Sequence, residues 1–368
     1  MQCLGIALSD FRNIESASVR FSPGVTVLYG DNAQGKTNLL EAVYYAALGK
    51  SFRGQTAPDV IRFGARCATL SVDFLARERE QNITMRLFRD RARAVEKNRV
   101  RVTKMSELVG AFRAVLFCPE HLFLVKGGPS ERRQFLDIAI SAENPSYLAT
   151  LQRYAHILKQ RNALLKSAEL QPENFRQTIE IWSQQLSVEG AYIARERARY
   201  IGKLEQFVAA TFGEMMGERE KPTLSYLGCN KSEDADYQNI EATKEHLYKR
   251  LTSNLERELG AGATLYGAHK DDMEILLNGH PARLFASQGQ QRSLSLALKI
   301  AEGEICREDF GEYPVFLFDD VLSELDASRR AFLLSRMAGK QVIMTSCEGK
   351  EAMSDLCLHV KNGRVFED

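Results

Sequence analysis

The chain has 368 residues, 44% of them hydrophobic and 26% charged, which suits a globular protein of about two domains. No apolar run reaches the roughly 18 residues of a membrane span, and the start MQCLGIALSDFRNIE lacks the basic head and apolar stretch of a secretory leader. Forty-nine basic against 48 acidic residues leave a net charge of +1, so nucleic acid could be held only by a local patch or by a surface made on assembly.

Taken in chain order, residues 1–127 alternate short β-rich runs with turns, the clearest strands falling at 25–29, 68–74 and 83–88. The segment 86–104 gathers Arg86, Arg89, Arg91, Arg93, Lys97, Arg99, Arg101 and Lys104 against Asp90 and Glu96. Alternation over 99–102 predicts Arg99 and Arg101 on one strand face, fit either for DNA phosphates or for plain solvation. Residues 128–261 read as helical. Leu148, Leu151, Ala155, Leu158, Asn162 and Leu165 recur at spacings of three and four, and a second helix near 174–216 carries Ile179, Trp182, Leu186, Ile193, Tyr200 and Phe207. From 262 strand-like runs return at 274–277, 314–318 and 341–345. The expectation is an α/β domain built from residues 1–127 and 262–368, with a helical domain, 128–261, inserted. Seven scattered cysteines, never paired as CxxC, read as reduced cytoplasmic thiols.

The strongest motif is Gly30-Asp31-Asn32-Ala33-Gln34-Gly35-Lys36-Thr37, a GxxxxGK[ST] loop placed after one predicted strand and before a helix. Such a loop wraps backbone N–H groups around phosphates at a helix N-terminus. Lys36 supplies charge to the β- and γ-phosphates of ATP, and Thr37 a hydroxyl for Mg²⁺. The apolar run 315–318 ends in two acids: Asp319 is placed to hold Mg²⁺ through its waters, and Asp320 to orient or deprotonate an attacking water. Ser287-Gln288-Gly289-Gln290-Gln291 opens an amphipathic helix with Ser287 near its N-cap, either a second anion site or an ordinary cap. Arg132 and Arg133 read as salt-bridged hinge residues or a second DNA surface. His269 with Asp271 and Asp272 reads as a polar strand end near the nucleotide or a dimer face.

The order of these pieces, with Ser323-Glu324-Leu325-Asp326 closing it, resembles the ABC-type ATPase head, in which LSGGQ, a DE pair and SALD follow the phosphate loop. Within that group the chain resembles the RecF family, relatives of the SMC-type heads. The resemblance rests on Phe11-Arg12-Asn13, Phe117-Cys118-Pro119-Glu120, Pro129 followed by Arg132-Arg133-Gln134-Phe135-Leu136-Asp137, and Gly267-Ala268-His269-Lys270-Asp271-Asp272. It implies an ATP-binding, slowly hydrolysing cytoplasmic protein of DNA repair and replication. Such a protein would dimerise head to tail around two nucleotides on gapped or junction DNA, with RecR and RecO, and assist RecA loading and fork restart after DNA damage.

By position the resemblance also implies ATP–Mg²⁺ on residues 30–37, Arg12 and Asn13 beside the nucleotide, and Ser287 with Gly289 on the other protomer's γ-phosphate. Asp326 becomes a dimer contact, and Arg89, Arg91, Arg93, Arg99 and Arg101 the candidate DNA residues. The chain departs from the pattern at Asp320, where Glu is usual, at Ser346-Cys347, where a switch His is expected, and at Glu120, the positional candidate for a Q-loop glutamine. Two other readings compete: a transporter's soluble ATPase subunit, disfavoured by the long insertion, and a small-molecule P-loop kinase, which needs no signature loop.

Overall fold

The computed structural model describes residues 1–53, 57–167, 172–217, 219–228, 236–347 and 354–367; Cys229 lies outside them. The chain divides into two compact units, Met1–Phe123 with Ser295–Asp368, and Leu124–Leu294. Among the described residues no helix is long and apolar enough to cross a membrane.

The first unit opens with the hairpin β1 (Gln2–Phe11) and β2 (Ile14–Arg20), then β3 (Val25–Tyr29) and α1 (Lys36–Leu48). Next come β4 (Cys67–Ala76), β5 (Arg79–Phe88), β6 (Ala94–Lys97), β7 (Val100–Val102) and β8 (Ala114–Phe117). In the second unit follow α2 (Pro129–Glu143), α3 (Pro145–Lys166), α4 (Pro172–Met216), β9 (Pro222–Leu227), α5 (Ile240–Ser253) and α6 (Leu255–Ala261). It closes with β10 (Asp272–Leu277), β11 (His280–Pro281) and α7 (Ala282–Phe285). Helix α8 (Gln288–Phe310) carries the chain back to the first unit, which ends with β12 (Val315–Phe318), α9 (Ala327–Arg336), β13 (Val342–Ser346), β14 (Leu356–Lys361) and β15 (Arg364–Glu367).

Two six-stranded sheets build the first unit. One, β2-β1-β4-β5-β6-β7, is antiparallel. Its strand β4 alternates buried and less buried residues, the pattern of a sheet with one face on the core. The other runs β15-β14-β3-β13-β12-β8 and is parallel except for its edge strand β15. Its strands β13 and β12 are buried without alternation, as strands covered on both faces must be: all four residues of β12 are buried. Helix α1 touches β8 and β13 of this sheet and β1, β4 and β5 of the antiparallel one. It is buried from Leu39 to Ala47, a helix apolar nearly all round because it lies inside one shared core.

In the second unit, α3 buries Tyr147, Thr150, Tyr154, Ile157, Arg161 and Leu165. The expected seam is one residue out of phase: Leu148, Leu151 and Leu158 are only half-buried and Ala155 is exposed. The reason is Arg161, which a count of apolar residues reads as surface but which is wholly buried. Its guanidinium meets Glu258 at 2.6 Å, Thr264 at 2.8 Å and Ser183 at 3.0 Å. On α4, Ile179, Leu186, Ile193 and Tyr200 are buried as expected, while Trp182 and Phe207 are half-buried. Residues 222–227, read as part of a helical stretch, are instead the strand β9. It pairs antiparallel with β10, which pairs with β11, so the second unit runs on to Leu294, past the residue 261 expected as its end.

A charge pair with no exposed surface on either side chain is costly to break from one end, because the survivor stays buried without a partner. Arg161→Ala should therefore destabilise the second unit by about 3–5 kcal/mol. Joint replacement of Arg161 by Met and Glu258 by Leu should recover most of that loss. Denaturant titration of the three variants beside the parent chain measures both.

Candidate nucleotide site

The turn from β3 into α1 holds the GxxxxGKT segment. Ala33 and Gly35 both take left-handed backbone, at φ 64° and 116°. At Gly35 a Cβ would also sit 2.9 Å from Asn13 Oδ1, so only glycine fits. Lys36 is buried and donates to the carbonyls of Gly30 and Asp31, so the loop curls around its own ammonium. No side chain caps α1 and no acid occupies its first turn, which leaves backbone N–H groups and the positive end of the helix dipole turned toward the loop.

The second half of the site comes from 282 residues further along the chain. The Thr37 hydroxyl donates to Asp319 Oδ1 at 2.8 Å. Between the two strands that carry them lies β13, whose Thr345 serves both acids: its Oγ1 accepts the Asp320 N–H at 2.9 Å and stands 3.2 Å from Asp319 Oδ1 and from Asp320 Oδ1. Having one proton, it can donate to only one carboxylate at a time. Asp320 is left-handed at φ 49° and lines a cleft of about 320 Å³ with Asn13, Asn32, Lys36, Thr37, Asn38 and Arg53.

Burial raises the pKa of Asp319, the Thr37 hydrogen bond opposes that shift, and the charge of Asp320 adds to it. A hydroxyl and a buried carboxylate are hard oxygen donors, and a cation beside them relieves the burial penalty. The pair fits Mg²⁺ on chemical grounds. Among the described residues no cluster of three or more His, Cys, Asp or Glu offers another metal site.

Several candidates are placed differently from expectation. Asn13 is at the cleft, its amide on the Gln34 carbonyl at 3.2 Å and its Oδ1 accepting from Asn38 at 2.8 Å. Arg12, also left-handed, makes a two-pronged bond to the buried Glu41, at 2.9 and 2.7 Å, bonds the Asp59 carbonyl, and lines an adjoining pocket with Asn13, Asn38 and Arg53. The cleft itself has Arg53, held by Asn38 Oδ1 at 3.0 Å, 3.7 Å from the same Glu41 and close enough to Asp319 to lower that acid's pKa. Nothing in the spacing of residues 50–53 marks Arg53 as functional. Where the switch His was expected, Cys347 donates to Asn32 Oδ1 at 3.2 Å and lies 3.9 Å from the Lys36 ammonium. Glu120 sits exposed on the short turn Pro119–Phe123, beside Cys118 and outside the cleft lining.

Ser287 is exposed and caps α8. Its Oγ accepts the Gln290 N–H at 3.2 Å while Gln290 Oε1 accepts the Ser287 N–H at 2.7 Å, a reciprocal capping box, and Gly289 lies in the first turn. Asp326 caps α9 through the Arg329 N–H, which, with the Ser328 hydroxyl, draws its carboxyl down to about 2.

The arginine segment is not one face. Arg89 is tied to the carbonyls of Ile61, Arg62 and Ala65, and Arg93 to that of Gly49. Arg91 stacks on Phe88 at 3.9 Å. Asn98 and Arg99 form a two-residue hairpin turn, both left-handed. Arg99 therefore lies in the turn, and only Arg101 of the pair stands on β7, exposed. In the second unit Arg132 grips Asp272 through two bonds of 2.8 Å and Arg133 bonds the Asp271 carbonyl. His269 bonds Tyr154 and Thr264, and burial pushes it down to about 4, so it is neutral. These bonds tie residues of the second unit to one another.

The chain matches the family model described as RecF/RecN/SMC N terminal domain over residues 4–360. Fold and match together define an ATPase head of the SMC class. The Pyrococcus furiosus Smc head domain shares that fold, with a TM-score of 0.54 at 16% identity over 99% of this chain and 94% of its own. Over 370 residues and 99% of each chain, this sequence is 36% identical to the DNA replication and repair protein RecF of Desulfitobacterium hafniense. It is 37% identical over 366 residues to that of Clostridium novyi, covering 99% of this chain and 98% of the relative. The chain belongs to the RecF family. A solved structure described as the recombination mediator protein RecF-ATPrS in the RecFOR pathway superposes with a TM-score of 0.94 at 32% identity, covering 100% of this chain and 98% of the other. Matches of this length set aside the transporter-subunit and kinase readings.

Thr345 has no motif of its own, yet both acids depend on its hydroxyl. Thr345→Val keeps the shape, strands the Asp320 N–H and removes the one proton the two carboxylates share, while Asp319 keeps its bond from Thr37. ATP turnover should fall about tenfold, the scale expected of a small misplacement, while ATP affinity stays within about twofold. Steady-state hydrolysis and equilibrium nucleotide binding separate the two.

Proposed function

We propose that this chain is a nucleotide-gated DNA clamp of recombinational repair, a slow ATPase whose ATP-bound form dimerises on DNA and whose hydrolysis times release. The observation that carries the reading is the 2.8 Å bond from Thr37 to Asp319. It joins a phosphate loop to a strand-end carboxylate in a chain of the RecF family.

In this reading the N–H groups of residues 30–37 cradle the phosphates of ATP and Lys36 turns its ammonium from the Gly30 and Asp31 carbonyls toward them. Thr37 and Asp319 would hold Mg²⁺, which would supply charge neutralisation to the phosphates. Asp320 orients the attacking water and takes its proton. Being one methylene shorter than the usual Glu, and fixed by Thr345, it reaches the water less well, which accounts for slow turnover. Asn13 and Arg53 close the cleft from the side of α1. Ser287, whose oxygen accepts the Gln290 N–H, keeps its own proton to donate. With Gly289 it meets the γ-phosphate held by a second copy of the chain, Asp326 contacts that copy, and two nucleotides are enclosed head to tail.

The DNA is gapped, junctional or duplex and is held by its phosphates without base readout. Arg91, Arg99 and Arg101 remain candidates for that role, while Arg89 and Arg93 are committed to backbone carbonyls. RecR and RecO are the protein partners, the setting is the cytoplasm, and the outcome is RecA loading and fork restart.

Asp320→Asn keeps the geometry and removes the proton acceptor. It should give a long-lived ATP dimer in sedimentation with hydrolysis nearly abolished; wild-type turnover would reassign the role. For the clamp itself, fluorescence anisotropy on duplex DNA should show weak binding without nucleotide or with ADP and stronger binding with ATP. Arg99→Ala with Arg101→Ala should lower the salt slope by about one unit for each phosphate no longer neutralised. Equal affinity in all three nucleotide states would refute the gating.

A further inference from the structure

The phosphate loop is held from a direction that its motif does not announce. Strand β14 runs parallel to β3 on the side away from β13, and His359 stacks on Tyr29 at 5.0 Å. At the tip of the β14–β15 hairpin, Asn362 and Gly363 make a two-residue turn, both left-handed at φ 50° and 72°. That turn bends over the crest of the loop. The Asn362 N–H donates to Gln34 Oε1 at 2.7 Å, and the Gly363 N–H to the Gln34 carbonyl at 2.9 Å. The Asn13 amide, from the β1–β2 turn, donates to the same carbonyl at 3.2 Å, filling both of its acceptor positions. The packing is close: a Cβ on Gly363 would stand 2.5 Å from the Asn13 carbonyl oxygen.

We propose that the C-terminal hairpin is part of the nucleotide site, and that Gln34 is a positioning residue through which the Asn362–Gly363 turn fixes the crest of the phosphate loop. The inference rests on the nucleotide reading of that loop. Ala33, next to Gln34, holds a left-handed conformation that a residue with a Cβ populates sparsely in a free chain. Without an external hold the crest relaxes, and its N–H groups no longer converge on one point. Three donors from two other turns supply that hold, and all three act on Gln34. A preorganised cradle acts alike on bound ATP and on the transition state, so its loss shows in KM and Kd and leaves kcat nearly unchanged.

The test uses the full chain. Gln34→Met keeps the volume and removes the Oε1 acceptor. ATP KM and Kd should rise about five- to tenfold, the scale of one missing hydrogen bond, with kcat within about twofold and an unchanged melting temperature. Gly363→Ala should weaken ATP binding further, and Lys361→Ala, exposed on the same hairpin, should leave KM alone. If Gly363→Ala does not fold, Gln34→Met decides. A wild-type KM in Gln34→Met overturns the inference, as does a parallel fall of kcat and melting temperature, which would mark a role in folding alone. Lys36→Ala separates the two levels of failure. If it abolishes ATP binding while Gln34→Met has no effect, the hairpin's role is refuted and the site stands. If it binds ATP normally, the nucleotide reading fails and this inference with it.

Discussion

A hydrogen bond of 2.8 Å between Thr37 and Asp319 joins two segments that lie 282 residues apart in the chain. It can form only if β3 and β12 stand in one sheet with β13 between them, since the loop after β3 and the acids after β12 must open at the same end. The order of the parallel sheet is therefore a condition on the chemistry as well as on the core. Thr345, at the end of the intervening strand, fills the gap with a hydroxyl shared by both acids. Two neighbouring strand ends and the first turn of α1 thus supply the adjacent oxygens, and α1, packed against both sheets, keeps Thr37 in line with them.

Much of this is legible in the sequence because the determining interactions are local. The glycines of the loop, the apolar run ending at Asp319 and the amphipathic face behind Ser287 each follow from the backbone and side-chain chemistry of a short stretch. What escapes is nonlocal. Arg53 and Thr345 acquire their places only when segments remote in sequence meet. The buried Glu41 that pairs with both Arg12 and Arg53 is likewise not marked by any local pattern. The segment 86–104 reads as a basic patch with Arg99 and Arg101 on one strand face, yet Arg89 and Arg93 answer backbone carbonyls on neighbouring loops and Arg99 sits in a left-handed turn.

The second unit shows the limit of apolar counting. Its α3 helix buries an arginine where the pattern favours leucines, and the charged group finds a carboxylate and two hydroxyls there. The same unit repeats the device with Arg197 on Asp137 and the Ala268 carbonyl, and with Arg132 on Asp272. Directional bonds of this kind fix which helix face meets which neighbour in a way that leucines, indifferent to a rotation of one residue, do not.

The separation of the two site halves along the chain also bears on how the protein is made. The antiparallel sheet is complete once β7 has left the ribosome, because all six of its strands precede residue 103. Strand β3 has no such early partners: its neighbours β13 and β14 are among the last segments synthesised. At about 5–20 residues per second, Asp319 follows Thr37 by tens of seconds. Throughout that interval both edges of an apolar strand await a sheet that does not yet exist, while the helix that follows it has its antiparallel neighbours β1, β4 and β5 to pack on. The nascent chain must then be shielded by its own antiparallel half or by a chaperone, and the nucleotide cleft is among the last features of the molecule to form.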